Sequence, residues 1–463
     1  MFSNAPDSAA RGFLYSSILW LVVGASALAL ASAKLVSADL LSTEVLSYGR
    51  VRAVASIALI YGWLTQAAIA SMLYVVPRVT GSRISSEFGG QVAGMLVNAG
   101  LLVGVLVALL GGVSGSEFME LPVWLGAVLV LALLGLASDV VRTILRRTEP
   151  RLFVSLLYFT GAIIAAPISL VVGSIAPVEG VRGYMGQLFA VHSYLYVFLG
   201  GAAMGTALYL VPRASGNPLY SNRLAVIGFW WLLISAPLTA QARAVFGPAP
   251  DSLETASIAA SIALLVPIVA LSVNVFGTLH GAWGSLSENP SLKFISGGTA
   301  LFAGAVAMGL AGSFRSVAKV VGATDWVSGQ VWTLVIALSL LAGGFVTFAF
   351  PRLIGKSWVA RSQVTAHFWL SAAAAALVAV GAMAAGLAMG LTLHAGAALE
   401  APLSAGGGFE LVLSAARPYR GIVFAGAALF AVAQWMFAGN VIRSTARGDP
   451  RPVELVAPVE EFR

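Results

Sequence analysis

Followed for its apolar and polar positions, the chain is a succession of apolar runs of about 20 residues, each long enough as a helix to cross a hydrocarbon layer about 30 Å thick. Twelve such runs occur, at approximately 13–34, 53–77, 89–111, 122–140, 152–176, 187–212, 224–246, 255–279, 294–314, 328–351, 365–393 and 421–442. A segment that crosses lipid must satisfy its own backbone groups, and a run of this length does so as an α-helix. The segments between the runs are short and leave no room for a soluble domain, so residues 1–463 read as one all-α integral membrane domain.

Three helix ends share one pattern: LYVVPRVTG, LYLVPRASG and FAFPRLIG, which close the second, sixth and tenth runs. Pro77-Arg78 with Gly81, Pro212-Arg213 with Gly216, and Pro351-Arg352 with Gly355 recur once every four helices. Proline is expected to stop each helix, arginine to anchor it at the headgroups, and glycine to take the left-handed turn that reverses the chain. Phe229-Trp230 follows Arg213 at the same distance as Phe368-Trp369 follows Arg352. A period this long predicts repeated units: three four-helix arcs around a pseudo-threefold axis. Gly90 with Gly94, Gly201 with Gly205, and Gly386 with Gly390 supply small-residue faces for close helix packing.

Composition agrees with the pattern. Hydrophobic residues make up 59% of the chain and charged ones 10%, too few polar groups to clothe a soluble globule. Arg78, Arg83, Arg142, Arg146, Arg147, Arg151, Arg213, Arg223, Arg352, Lys356 and Arg361 fall in loops on one side. Glu117, Glu120, Glu179, Asp251, Glu254, Glu400 and Glu410 fall on the other, together with Arg182, Arg243, Arg315 and Arg420. The positive-inside rule then predicts that both termini are cytoplasmic, and it accounts for the +7 net charge without any nucleic-acid partner. Ala31-Ser32-Ala33 could pass as a cleavage site, but the run before it is long for a signal peptide and is read as a retained first helix.

The chain has no cysteine, which excludes thiolate-bound clusters and covalent c-type haem within it. It has four histidines. His192 alone lies well inside a run, and a buried imidazole bonded to a neighbouring hydroxyl such as Ser193 is its plainest reading. His280, His367 and His394 lie near helix ends and read as interfacial.

LSYGRVRAV (46–54), HSYLYVFLGGAAMGTALYLVPR (192–213), NPLYSNRLAVIGFW (217–230), GAWGSL (281–286), TDWVSGQV (324–331), HFWL (367–370) and RPYRG (417–421) resemble, in order and spacing, the catalytic subunit I of cbb3-type haem–copper oxidases. The resemblance spans nearly the whole chain. It implies twelve helices, three arcs, cytoplasmic termini in a bacterial inner membrane, and a family chemistry carried by histidines that bind two haems and a copper. All but one of those histidines are missing here. The low-spin haem ligand after GRVRAV falls at Ala55. The two histidines after T-D-W-x-x-G, one for each haem, fall at Gln330 and Trp332. Of the copper ligands only His192 remains, because the adjacent pair of the seventh helix falls at Ala242 and Arg243, and the crosslinked tyrosine falls at Ala305. A cationic Arg243 cannot ligate copper and would repel it. Met72, Met204 and Met308 lie within runs, where methionine is more often packing than ligand.

On this basis haem b and copper are predicted lost. Two porphyrins would leave a void on the order of several hundred Å³, whose cost at about 24 cal/mol per Å³ forbids an empty hole. Trp332, Trp63, Tyr61, Trp231 and Tyr194 are the expected fillers, with lipid, quinone or inward collapse as alternatives. The expected function is a cofactor-free pseudo-oxidase acting as a scaffold in a respiratory complex, beside a membrane-anchored c-type cytochrome or a catalytic oxidase subunit. A working oxidase or nitric oxide reductase with unconventional ligation is the alternative. A proton or ion channel is a further one, for which Arg243, Arg315, Lys319 and Asp139 are the candidate polar positions.

Overall fold

The computed structural model describes residues 3–113, 116–175, 180–398 and 407–451, so the Glu179 and Glu400 loop charges lie outside the described residues. Among the described residues, twelve helices are long and apolar enough to span a membrane: α1 (Ser8–Val36), α2 (Tyr48–Thr80), α3 (Glu87–Leu109), α4 (Val123–Leu145), α5 (Val154–Ser174), α6 (Gly180–Ser215), α7 (Asn222–Ala244), α8 (Asp251–Thr278), α9 (Pro290–Ser313), α10 (Asp325–Ile354), α11 (Arg361–Ala395) and α12 (Gly408–Arg447). They correspond one to one with the twelve apolar runs; most extend past their run at one end at least, α12 farthest at its start, whereas α5 falls inside its run.

The three helices that carry the repeat are the inner ones. The apolar windows of α2, α6 and α10 are 94–100% buried against 28–56% for the other nine, so repetition in sequence has become a ring of three central helices wrapped by outer ones. A small axial void of about 20 Å³ makes the symmetry explicit. It is lined by Leu64, Ala67, Ala68 and Ser71 of α2, Leu199, Ala202, Ala203 and Thr206 of α6, and Leu338, Leu341, Ala342 and Phe345 of α10. Each set stands at the same distances before its own proline, and Thr206 Oγ1 donates to Ser71 Oγ across the axis at 3.0 Å. At the seam where the arcs close, Trp435 Nε1 of α12 donates to Ser26 Oγ of α1 at 3.0 Å.

The prolines do not stop these helices. Each helix continues a further turn beyond Pro77, Pro212 and Pro351 and ends at a left-handed glycine, with φ of 66° at Gly81, 78° at Gly216 and 68° at Gly355. Each proline withholds one N–H from the carbonyl four residues earlier, and behind Pro351 that carbonyl, of Thr347, accepts from Trp358 Nε1 at 3.3 Å instead. Arg78 is also not a headgroup anchor. It is 5% exposed, its guanidinium lies 3.7 Å over the Tyr74 ring, and it takes the Asp7 carboxylate bidentately at 2.8 and 2.9 Å.

Two of the three inner helices are locally underwound into π-helical turns, Ile57–Leu64 in α2 and Ser193–Gly200 in α6, at nearly equivalent places in their repeats. The same stretch of α10 is regular α-helix. A π turn inserts one residue and re-aims the side chains on it, a device that collects at functional sites.

Candidate functional site

The π turn of α6 begins directly after His192 and directs Tyr194 and Tyr196 into the interior, where they are 1% and 4% exposed. His192 and Tyr196 line a cavity of about 40 Å³ with Thr239, Ala242 and Arg243 from the end of α7 and Trp326 and Gln330 from α10. Space of this size holds a few water molecules. Ala305 joins through its backbone: Gln330 Nε2 donates to the Ala305 carbonyl and to the Tyr196 hydroxyl, both at 3.1 Å. Five positions scattered from 192 to 330 therefore meet in one place.

His192 is held by Thr239, not by Ser193 as expected from the neighbouring hydroxyl. Nδ1 lies 2.7 Å from Thr239 Oγ1, and Thr239 gives its own proton to the Ala236 carbonyl at 2.7 Å, so the imidazole Nδ1 is assigned as the donor and Nε2 as the lone-pair nitrogen. Ser193 points elsewhere because a residue one step along the helix is rotated by about 100°.

Ala55 and Trp332 lie apart from this cavity. Ala55 is fully buried in α2, one residue before Ser56, whose hydroxyl donates to Glu120 at 2.5 Å. Trp332 is half-buried and lines a second cavity of about 60 Å³ with Leu28 and Ala31 of α1, Tyr48 and Arg52 of α2, and the Asp325–Arg420 pair. That pair is bidentate, at 2.6 and 3.0 Å. The Trp332 ring meets Phe118 edge to face at 5.3 Å.

Phe118 belongs to a segment whose role the sequence did not reveal. Phe118, Met119, Glu120 and Leu121, in the loop between α3 and α4, are each 1–2% exposed, so a stretch that reads as an outer loop is wedged into the bundle. The Tyr61 hydroxyl donates to the Phe118 carbonyl at 2.8 Å, and Phe118 holds a left-handed φ of 63° to reach its place. Arg243 lies 5.4 Å from the Phe118 ring centroid and 3.4 Å from Glu117. Arg52 takes Glu120 at 2.8 Å and Glu117 at 3.4 Å. Burial pushes the Glu120 carboxyl above the ordinary carboxylate range, and Arg52 and the Ser56 hydroxyl pull it only part of the way back. Glu117 and Glu120 are thus structural partners of two arginines and not free loop charges.

The expected fillers divide. Tyr61, Trp63 and Tyr194 are fully buried: the Tyr61 and Tyr194 rings lie 5.1 Å apart, Thr65 Oγ1 and Tyr194 OH are 2.7 Å apart, and Trp63 Nε1 donates to Ser339 at 3.0 Å. Trp231 is 43% exposed and faces outward, because its neighbour Phe229 takes the inward position of α7 against Tyr158. Among the remaining histidines, His280 and His394 are exposed, the latter with Nε2 3.0 Å from the Lys319 carbonyl. His367 is buried, stacked on Phe437 at 4.3 Å, with Nε2 2.8 Å from Gln434 Oε1. Of the polar positions considered for a conducting path, only Arg243 lines either cavity; Arg315 lies near Asp251 and Glu254 at 4.0 and 3.9 Å on the outer surface.

These residues give a donor set that does not fit two haems and a copper. The convergent cavity offers one imidazole, its Nδ1 taken by Thr239, beside a guanidinium, an amide and methyl groups. Met72 and Met204 are fully buried packing, and the Met308 carbonyl, not its sulfur, is engaged, by Trp326 Nε1 at 3.2 Å. Among the described residues no three of His, Asp and Glu cluster so as to hold a metal ion.

Residues 8–429 match the family model for cytochrome c and quinol oxidase polypeptide I. The chain belongs to that family. Relatives of this oxidase-family chain include a cytochrome c oxidase subunit 1 from Rhodobacter capsulatus, 27% identical over 75% of this chain and 68% of the relative. A cytochrome c oxidase subunit 1 homologue from Agrobacterium tumefaciens is 26% identical over 79% and 70%. The Cbb3-type cytochrome c oxidase subunit CcoN1 of Stutzerimonas stutzeri is 24% identical over 82% and 83%. A haem–copper terminal oxidase dimer solved by cryo-electron microscopy superposes with a TM-score of 0.73, covering 98% of this chain and 86% of that one at 16% identity, a likeness of fold.

Proposed function

We propose that this oxidase-family chain is a cofactor-free pseudo-oxidase that serves as a membrane scaffold in a respiratory complex. The observation that carries the reading is the company of His192: at the position where the resemblance calls for copper, a single imidazole stands beside Arg243, Gln330 and Ala242. A cation there opposes a metal ion, and the amide of Gln330 is spent on Tyr196 and Ala305. The aromatic residues Tyr61, Trp63 and Tyr194 and the Phe118–Leu121 wedge support it further, since they occupy the interior with hydrogen-bonded side chains. On this reading the chain sits in a bacterial inner membrane with both termini cytoplasmic and docks a membrane-anchored c-type cytochrome or a catalytic oxidase subunit through its lipid-facing helices.

The chain purified from its own membrane, by tag and in mild detergent, tests this by pyridine haemochrome assay, metal analysis and redox-difference spectra. The expected result is no stoichiometric haem or copper in the chain itself, with c-type cytochrome or oxidase subunits co-purifying. One haem per chain would sink the proposal in favour of a working oxidase with unconventional ligation.

A further inference from the structure

The His192 cavity carries more hydrogen-bonding capacity than the residues around it use. Arg243 lines it with a side chain that is 10% exposed, and among the described residues its guanidinium has one carboxylate partner, Glu117, at 3.4 Å. That carboxylate is 42% exposed and shared at the same distance with Arg52, so it compensates the Arg243 charge weakly. The Arg243 Nε–H is buried and has no hydrogen-bond partner among the described residues. Tyr196 is buried beside it in the lining, accepts from Gln330 Nε2, and gives its own phenolic proton to no described residue. His192, also buried, has Nδ1 committed to Thr239 and leaves the Nε2 lone pair without a donor. The His192 and Tyr196 rings are neighbours, with centroids 5.6 Å apart. Together these groups offer a cation, a free O–H donor and an imidazole acceptor on one cavity wall, where buried polar groups ordinarily find partners.

We propose that the cavity binds a small oxyanion that still carries an acid proton, hydrogen carbonate. Its charged oxygens accept from Arg243 and from the Tyr196 hydroxyl, and its O–H donates to His192 Nε2. Each of the three unanswered groups then has a partner of the right sense, and the contact to the guanidinium is charge-assisted. Formate, nitrate and chloride would set a lone pair against Nε2, and water alone leaves the Arg243 charge uncompensated. The ion takes the room of about two waters, within the few that a cavity of about 40 Å³ holds. Ala318 and Gly322, from the short helix Arg315–Val321 and the turn after it, also line the cavity, which places it toward the acid-bearing end of the bundle and within reach of dissolved ions. The inference rests on the reading that haem and copper are absent from this site.

The full chain, purified in mild detergent at pH 8 and constant ionic strength, supplies the test. Infrared difference spectra taken with ¹²C- and ¹³C-labelled hydrogen carbonate report the bound ion, and thermal unfolding against its concentration gives the affinity. The expected result is a saturable isotope-shifted band and a stabilisation that formate, nitrate and chloride reproduce at least tenfold more weakly. Tyr196→Phe, nearly the same shape, should weaken binding about tenfold, the worth of one hydrogen bond to a charged group, and Arg243→Gln should weaken it further. Arg315→Gln, an exposed arginine outside the cavity lining, should leave it unchanged. If Arg243→Gln fails to fold, Tyr196→Phe and the ranking of the anions decide. Absence of a saturable band, equal binding of formate or chloride, or indifference to Tyr196→Phe would overturn the proposal. Haem or copper in the chain would sink the scaffold reading, whereas a metal-free chain that ignores hydrogen carbonate sinks this inference alone.

Discussion

Trp332 and Phe118 meet edge to face with their ring centroids 5.3 Å apart, joining an inner helix to a loop more than two hundred residues earlier. The pair ties the α3–α4 wedge to α10, and through Arg243 and Tyr61 the same phenylalanine touches α7 and α2. Phe118→Ala is expected to cost about 3–5 kcal/mol, as for a fully buried aromatic, and Trp332→Ala about 2, because the indole is only half-buried. The double variant should fall short of the sum by about 0.5–1.5 kcal/mol, the worth of an aromatic pair. Thermal unfolding in detergent measures all three, and strict additivity would contradict the contact.

The Arg52–Glu120 pair predicts a pH effect of definite sign. Burial raises the folded-state carboxyl above its unfolded value, so the folded chain holds this proton more tightly, and stability is lost as pH rises from the ordinary carboxylate value through the raised one. Arg52→Gln removes the compensating charge at 2.8 Å and should cost about 3–5 kcal/mol at neutral pH. It should also steepen that loss, and Glu120→Gln in the same chain should restore much of it. Unfolding midpoints recorded across pH 4 to 8 for the three variants check the order.

His192→Gln is expected to fold and to change stability by about 0.5–1.5 kcal/mol, the scale of its one hydrogen bond to Thr239. Loss of a bound metal or of the whole assembly in that variant would show that the imidazole is still a ligand.

Asp7 and Arg78 form a buried bidentate pair 71 residues apart in sequence. Asp7→Asn leaves a guanidinium inside the bundle without its counter-charge and should destabilise by about 3–5 kcal/mol, more than any single carboxylate change in the exposed loops. A Glu44→Gln control, whose partner Arg50 pairs with it at an exposed carboxylate, should shift stability by less than about 1 kcal/mol.

What the sequence determined by itself was the part fixed by local rules. Twelve helices were legible because lipid leaves a backbone no alternative, and a threefold repeat of four-helix units was legible because Pro-Arg-Gly ends recur with the same spacing, although only the burial in the structure made their helices the inner ones. The gathering of His192, Ala242, Arg243, Ala305 and Gln330 followed from a resemblance that preserved helix order, and the cavity and the Gln330–Ala305 contact unite them. Tertiary structure alone decided the rest. Whether Glu120 is a loop charge or a buried partner, or Phe118 a loop residue or the centre of an aromatic contact, depends on which helices surround a segment that carries no periodicity of its own. Trp231 turned outward and Ser193 gave way to Thr239 because one residue of helix is about 100° of rotation, and π turns shift that register where no sequence signal marks them. Pairings such as Asp7 with Arg78 are set by distances that exist only after the bundle has closed.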